Sequence, residues 1–94
     1  MYAQEVERPV KETYEAVKAI LSEMGATLYR RNPRKGYLIA YRFADSFDGR
    51  CANATEVAVF FQESAPSQTT VEIASLDFSL SDFVARAIFT KLNE

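Results

Sequence analysis

Val10, Tyr14, Val17, Leu21 and Met24 recur at spacings of four, three, four and three residues, which puts them on one face of an α-helix. Ala16 and Ile20 widen that stripe, while Lys11, Glu12, Glu15, Lys18, Ser22 and Glu23 fall away from it. Pro9 suits the first helical position and Gly25 the residue just past the end, so the pattern predicts a helix over residues 10–24. A second stripe, Leu80, Val84, Ala87, Ile88 and Leu92, predicts a terminal helix over residues 79–92. Ser79, followed three positions later by Asp82, reads as its capping box, with Asp in place of the usual Glu.

Elsewhere the period falls to two. Residues 2–7, 26–31, 37–43, 55–63 and 69–76 are rich in β-branched and aromatic side chains and read as strands. Asn-Pro-Arg-Lys-Gly at 32–36 and Ser-Ala-Pro-Ser-Gln at 64–68 supply turn chemistry, and 44–54 is a polar loop. The element order is β-α-β-β-β-β-α. Short turns between the last four strands imply an antiparallel meander, and one face of such a sheet must be covered by helix. The expectation is a single domain over residues 1–94 of the α+β class, with a curved antiparallel sheet packed in two layers against both helices.

Alternation along the strands then raises a problem. In residues 37–43, Tyr37, Ile39, Tyr41 and Phe43 share one face and Leu38 and Ala40 the other. In the next strand Val57, Val59 and Phe61 share one face, and Ala58 and Phe60 the other. A two-layer domain needs only one apolar sheet face. Either the outer face, with Tyr37, Ile39, Tyr41 and Phe43, meets a protein partner, a second copy or a neighbouring domain, or the sheet curls enough to cover part of both faces.

Charge adds a polarity along the chain. The net charge is −2, and no basic excess of the kind that marks a general nucleic-acid binder is present. Residues 1–50 hold nine Lys/Arg and seven Asp/Glu, a balance of +2, whereas residues 51–94 hold two and six, a balance of −4. Such an asymmetry suits head-to-tail contact as well as it suits a solvated surface. Arg30, Arg31, Arg34 and Lys35 are four cations in six residues. They read as a charged hairpin tip that keeps an exposed turn and sheet edge from sticking; the competing reading is a phosphate or RNA contact with salt-dependent binding.

Catalytic and metal chemistry find little support. The chain has no histidine, which removes the commonest general base and transition-metal ligand. A single cysteine, Cys51, forms neither an intrachain disulfide nor a cysteine-rich zinc site, and without a histidine beside it an inert loop thiol is the simpler reading. The three glycines are too far apart for a phosphate loop. Residues 45–56 place carboxylates at the first and twelfth positions of a calcium-type loop, but Arg50 stands where that loop needs glycine. Asn53–Thr55 matches a glycosylation tripeptide that is frequent by chance. Glu56, Glu63 and Glu72 read as solvent-facing strand positions. No cofactor is expected and the chain is read as non-enzymatic. No stretch reaches bilayer-spanning length, and residues 1–15 lack the apolar core of a signal peptide. That fits a cytoplasmic protein and equally the mature part of an exported one.

One resemblance bears on these alternatives. The helix has the form V-x-x-x-Y-x-A-V-x-x-x-L-x-x-x-G and leads into an N-x-x-x-G hairpin, carried here by Val10, Tyr14, Ala16, Val17, Leu21, Gly25, Asn32 and Gly36. The order resembles small bacterial envelope lipoprotein domains of unknown function. It is also similar to the helix-grip domains of the lipoprotein subunit of the outer-membrane β-barrel assembly machine. The closing helix, with Ser81, Ala85, Ile88 and Leu92, is similar to that family's terminal helix. The resemblance implies a helix-grip fold, an envelope-associated setting and protein contacts, and it offers no catalytic residues to transfer. The chain departs from the pattern in carrying no leader or lipid-attachment cysteine, so a membrane tie through a lipid anchor is not encoded in these residues. Its 44–54 loop is also longer than the pattern needs. Two functions follow as expectations: a protein-interaction or scaffold module using the outer sheet face, or a helix-grip binder of a small apolar ligand in a cavity lined by Tyr14, Leu21, Phe60 and Phe78.

Overall fold

The computed structural model describes residues 2–43 and 55–93. Its elements are β1 (Tyr2–Val6), α1 (Val10–Glu23), β2 (Thr27–Asn32), β3 (Tyr37–Tyr41), β4 (Val57–Ala65), β5 (Gln68–Ser75) and α2 (Phe78–Leu92). The five strands form one antiparallel sheet in the order β1-β5-β4-β3-β2. The fold is α+β in two layers, as the periodicities predict, with β2 to β5 as the meander. β1 adds beside β5, with Tyr2 opposite Ile73 and Val6 opposite Thr69. Because every pairing is antiparallel, β1 and β2 run in the same direction at opposite edges, and the segment holding α1 crosses the sheet between them. Accordingly α1 packs against β2, β3, β4 and β5, while α2 covers β5 and β1.

One continuous core lies between sheet and helices. Leu38 and Ala40 of β3, Val57, Val59 and Phe61 of β4, and Val71 and Ile73 of β5 point into it. They meet Tyr14, Val17, Ile20 and Leu21 of α1 and Leu80, Val84, Ala85, Ile88 and Leu92 of α2. The Tyr14 and Phe61 rings pack edge-on with centroids 5.4 Å apart, tying α1 to β4. Two buried threonines keep their hydroxyls satisfied: Thr13 Oγ1 donates to the Pro9 carbonyl at 3.0 Å and Thr69 Oγ1 to the Arg8 carbonyl at 2.8 Å. The Arg8 guanidinium donates to the Leu92 carbonyl at 3.0 Å, so the turn that starts α1 also closes the end of α2.

The helix ends refine the sequence reading. Pro9 is the N-cap of α1, one residue before the first helical position. At the other end Gly25 adopts φ +81°, its N–H donates to the Ser22 carbonyl, and the Ala26 N–H donates to the Leu21 carbonyl. This double bond pattern is a Schellman motif, which is why a glycine belongs there. The predicted capping box of α2 is not formed. Asp77 is the N-cap, its carboxylate accepting from the Leu80 N–H at 3.0 Å, and Ser79 lies within the first turn. Asp77→Ala is therefore expected to lower stability by about 1 kcal/mol, and Ser79→Ala to change it by less than about 0.5 kcal/mol. Urea unfolding of both variants checks the assignment; equal losses would contradict it.

Candidate functional site

The face of the sheet turned away from the helices is the candidate site, and its layout follows from strand register. Tyr37 of β3 stands opposite Phe60 of β4, which stands opposite Glu72 of β5 and, beyond it, Ala3 of β1. One row along, Ile39 faces Ala58 and Ala58 faces Ala74. Tyr37, Ile39 and Tyr41 are partly exposed, and Phe60 is 42% exposed. The result is a ridge of large side chains on β3 and on Phe60, beside a trench floored by Ala58 and Ala74. That trench is a concavity of about 530 Å³ bounded by Thr55, Glu56, Ser75 and Leu76, and Leu76 is fully exposed. No described helix or strand covers this face.

Tyr29 joins the ridge through an irregularity the periodicity did not reveal. The β2–β3 register shifts between Leu28 and Arg30, leaving Tyr29 as an extra residue in a β-bulge. Its ring packs edge-on against Tyr41 at 5.6 Å. A hydrogen bond to Glu56, and secondarily burial of the ring, hold its hydroxyl above the ordinary phenol pKa. Two guanidiniums lie over these rings, Arg30 at 5.9 Å from the Tyr29 centroid and Arg42 at 5.3 Å from that of Tyr41. The aromatic ridge thus carries its own cations.

Phe43 requires a correction. Simple alternation put it on the outer face with Tyr37, Ile39 and Tyr41, but it is fully buried. The strand ends at Tyr41, and Arg42 adopts φ +64°. A left-handed residue breaks the two-residue alternation, so Phe43 turns into the core. The outer-face set brought together by the fold is Tyr37, Ile39 and Tyr41 from the sequence reading, joined by Tyr29, Ala58, Phe60 and Ala74.

The four residues assigned to a ligand cavity do not line one space. Leu21 is fully buried and Tyr14 nearly so, both inside the core. Phe60 projects from the opposite side of the sheet. Phe78 is 72% exposed at the start of α2, where its ring lies 6.0 Å from that of Tyr2. The reason is parity: Phe60 neighbours Phe61, and only one of two consecutive strand residues can face the helices. Tyr14 instead lines an open groove of about 400 Å³ between the start of α1 and the β2–β3 hairpin, with Val10, Pro33, Gly36 and Phe61 as floor and Lys11, Glu15 and Arg34 at the rim.

The basic tip is solvated. Arg31, Arg34 and Lys35 are exposed, and Asn32 organises the turn by accepting the Lys35 N–H on its Oδ1 at 3.0 Å. Glu56 and Glu63 are exposed and Glu72 partly so. Cys51 and residues 53 and 54 lie outside the described residues, as does all but the end of the calcium-like stretch. Among the described residues no group of three or more acidic or thiol side chains sits together in a way that would hold a metal ion. No described helix is long and apolar enough to cross a membrane.

The fold and the uncovered face define the class, a small two-layer α+β domain whose outer sheet face carries an apolar patch centred on β3 and Phe60. Comparison of the sequence with known protein families and with curated proteins returns no match.

Proposed function

We propose that this chain is a non-enzymatic protein-interaction or scaffold module whose contact surface is the outer sheet face. The observation that carries the reading is the ridge of Tyr29, Tyr37, Ile39, Tyr41 and Phe60 standing free of both helices. Isolated exposed apolar residues need no explanation, but a contiguous apolar patch with aromatic anchors and a polar rim is how protein contact sites are built. Both sheet edges are protected against strand addition, which directs association to the face. β2 carries the Tyr29 bulge with Arg30 and Arg31 and is followed by Pro33, and β1 is five residues long, with Glu5 exposed on it and Glu7 exposed just past its end. The resemblance to helix-grip envelope domains supports a bacterial envelope setting for the module and is consistent with a scaffolding role.

Tyr41 closes β3 at one end of the ridge, packed against Tyr29 and overlaid by Arg42. Tyr41→Asp is expected to abolish assembly in sedimentation velocity while the circular dichroism spectrum stays that of the folded domain and the thermal midpoint of the monomer falls by only a few degrees, because a desolvated carboxylate at an apolar contact is strongly unfavourable. A variant that assembles as the wild type does would sink the reading.

A further inference from the structure

We infer that the occupant of the outer face is a second copy of this chain, packed face to face about a two-fold axis that runs along β4, so that the basic β2–β3 margin of each copy lies over the acidic β5–β1 margin of the other. The inference rests on the reading of the outer face as a contact surface and adds the partner and its orientation.

Three features of the face point this way. The first is its charge polarity. Arg30 shares a register position with outward-facing Ile39, Arg42 lies over the Tyr41 ring, and Lys35 borders the outer face beside Phe60 and Gln62. These three cations line the β2–β3 side. Glu72 stands opposite Phe60 on β5 and Glu5 opposite Thr70 on β1, and these acids line the other side. Glu5 is held on that margin by accepting from Gln68 Nε2 at 2.7 Å. On the outer face the cations thus gather toward β2 and β3 and Glu5 and Glu72 toward β1 and β5, while Glu56, bonded to Tyr29, offsets part of the charge on the basic side.

The second feature is shape. Tyr37, Ile39 and Tyr41 of β3 and Ala74 of β5 lie on opposite sides of β4, the middle strand, which itself carries Phe60 and Ala58. A two-fold axis along the middle strand exchanges the two sides. It therefore lays Ile39 of each copy over Ala74 of the other, sets Phe60 beside its symmetry mate on the axis, and brings the basic margin of each copy over the acidic margin of the other, twice per dimer, as an isologous contact requires. An axis running across the strands would instead place each strand over itself, laying the basic margin over the basic margin and the acidic over the acidic, which like-charge repulsion disfavours. Aligned packing of two such sheets, about 30° apart and about 10 Å face to face, is the common geometry for twisted sheets.

The third feature is preorganisation. Arg30 and Arg42 already rest on aromatic rings, and the Tyr29 hydroxyl is engaged with Glu56. Fewer side chains need ordering on contact, which lessens the entropic penalty of association.

The test is charge-reversal complementation, read by analytical ultracentrifugation at low salt. Arg30→Glu with Lys35→Glu in one chain, and Glu5→Lys with Glu72→Lys in another, are each expected to weaken self-association by about tenfold or more. An equimolar mixture is expected to recover a heterodimer of near wild-type affinity. Circular dichroism checks folding; if a double variant fails to fold, the single reversals Lys35→Glu and Glu72→Lys carry the same test. If Tyr41→Asp abolishes assembly but the mixture shows no recovery, the face is a contact surface and the orientation inferred here is wrong. If Tyr41→Asp assembles normally, the reading of the face fails and this inference with it. A wild-type chain that remains monomeric at millimolar concentration overturns the second copy as the occupant and leaves the face to a different protein.

Discussion

Gly36→Ala is expected to lower stability by about 2–4 kcal/mol, a large share of the roughly 5–10 kcal/mol available to a domain of this size. Two independent effects act at this residue. Gly36 adopts φ +74°, a left-handed conformation that disfavours any residue bearing a Cβ. It is also buried, and a Cβ built there would lie 2.5 Å from the Phe61 carbonyl oxygen. That neighbour is backbone and cannot rotate away. It is also part of the junction that holds the hairpin to β4, since the Phe61 N–H donates to the Gly36 carbonyl at 2.7 Å and the Gly36 N–H donates to the Asn32 carbonyl at 2.8 Å. Relieving the overlap would pull the β2–β3 hairpin off β4. Gly25 supplies the comparison: it is left-handed too but exposed, so Gly25→Ala is expected to cost only about 1 kcal/mol. Urea midpoints for the two variants measure the difference, and equal losses would mean that the close approach to Phe61 contributes nothing.

Gly36 also shows what was legible in the chain. Asn32 and Gly36 mark a turn by composition alone, because their backbone preferences are local properties. The same holds for α1 and α2, whose stripes follow the buried faces except that Ala85 and not Ala87 is buried in α2, and for β4, where alternation separates Val57, Val59 and Phe61 from Ala58 and Phe60 correctly. The antiparallel pairing of β2 with β3 and of β4 with β5 followed from their short turns. What local pattern did not contain is the position of β1, which joins β5 at the far edge from β2 through contacts more than sixty residues apart in sequence.

The candidate site was legible only in part, for the same reason. Tyr37, Ile39 and Tyr41 were found because each obeys a two-residue period. Tyr29 was missed because a bulge changes the period, and no residue near it is one that commonly signals a bulge. Phe60 was assigned to a cavity although its neighbour Phe61 already filled the inward position; parity along β4 was sufficient to exclude it. The N-cap of α2 was displaced by two residues because Ser79 and Asp77 are both good caps, and only the register at the end of β5 decides between them.

The displacement of Phe43 leads to the other large effect. Phe43→Ala is expected to cost about 3–5 kcal/mol, as removal of a fully buried aromatic side chain does when the surroundings cannot collapse into the gap. Tyr41→Ala, two residues away, is expected to cost about 1 kcal/mol or less, since Tyr41 is partly exposed and loses chiefly its contacts with Tyr29 and Arg42. The two substitutions therefore separate the two faces of the sheet. Phe43→Ala should lower the urea midpoint sharply while the molecules that remain folded associate as the wild type does, because the ridge is untouched. Tyr41→Ala should leave the midpoint nearly in place and weaken association. Plain alternation predicts the reverse for Phe43, an outer-face residue whose loss affects assembly and spares stability. The left-handed Arg42 between them is what reverses that expectation. Arg42→Gly, which accepts φ +64° freely, should keep Phe43 buried and stability within about 1 kcal/mol of wild type, whereas Arg42→Val should resist that φ and destabilise the domain along with the placement of Phe43. A Phe43→Ala chain with wild-type stability would show that Phe43 is not part of the core.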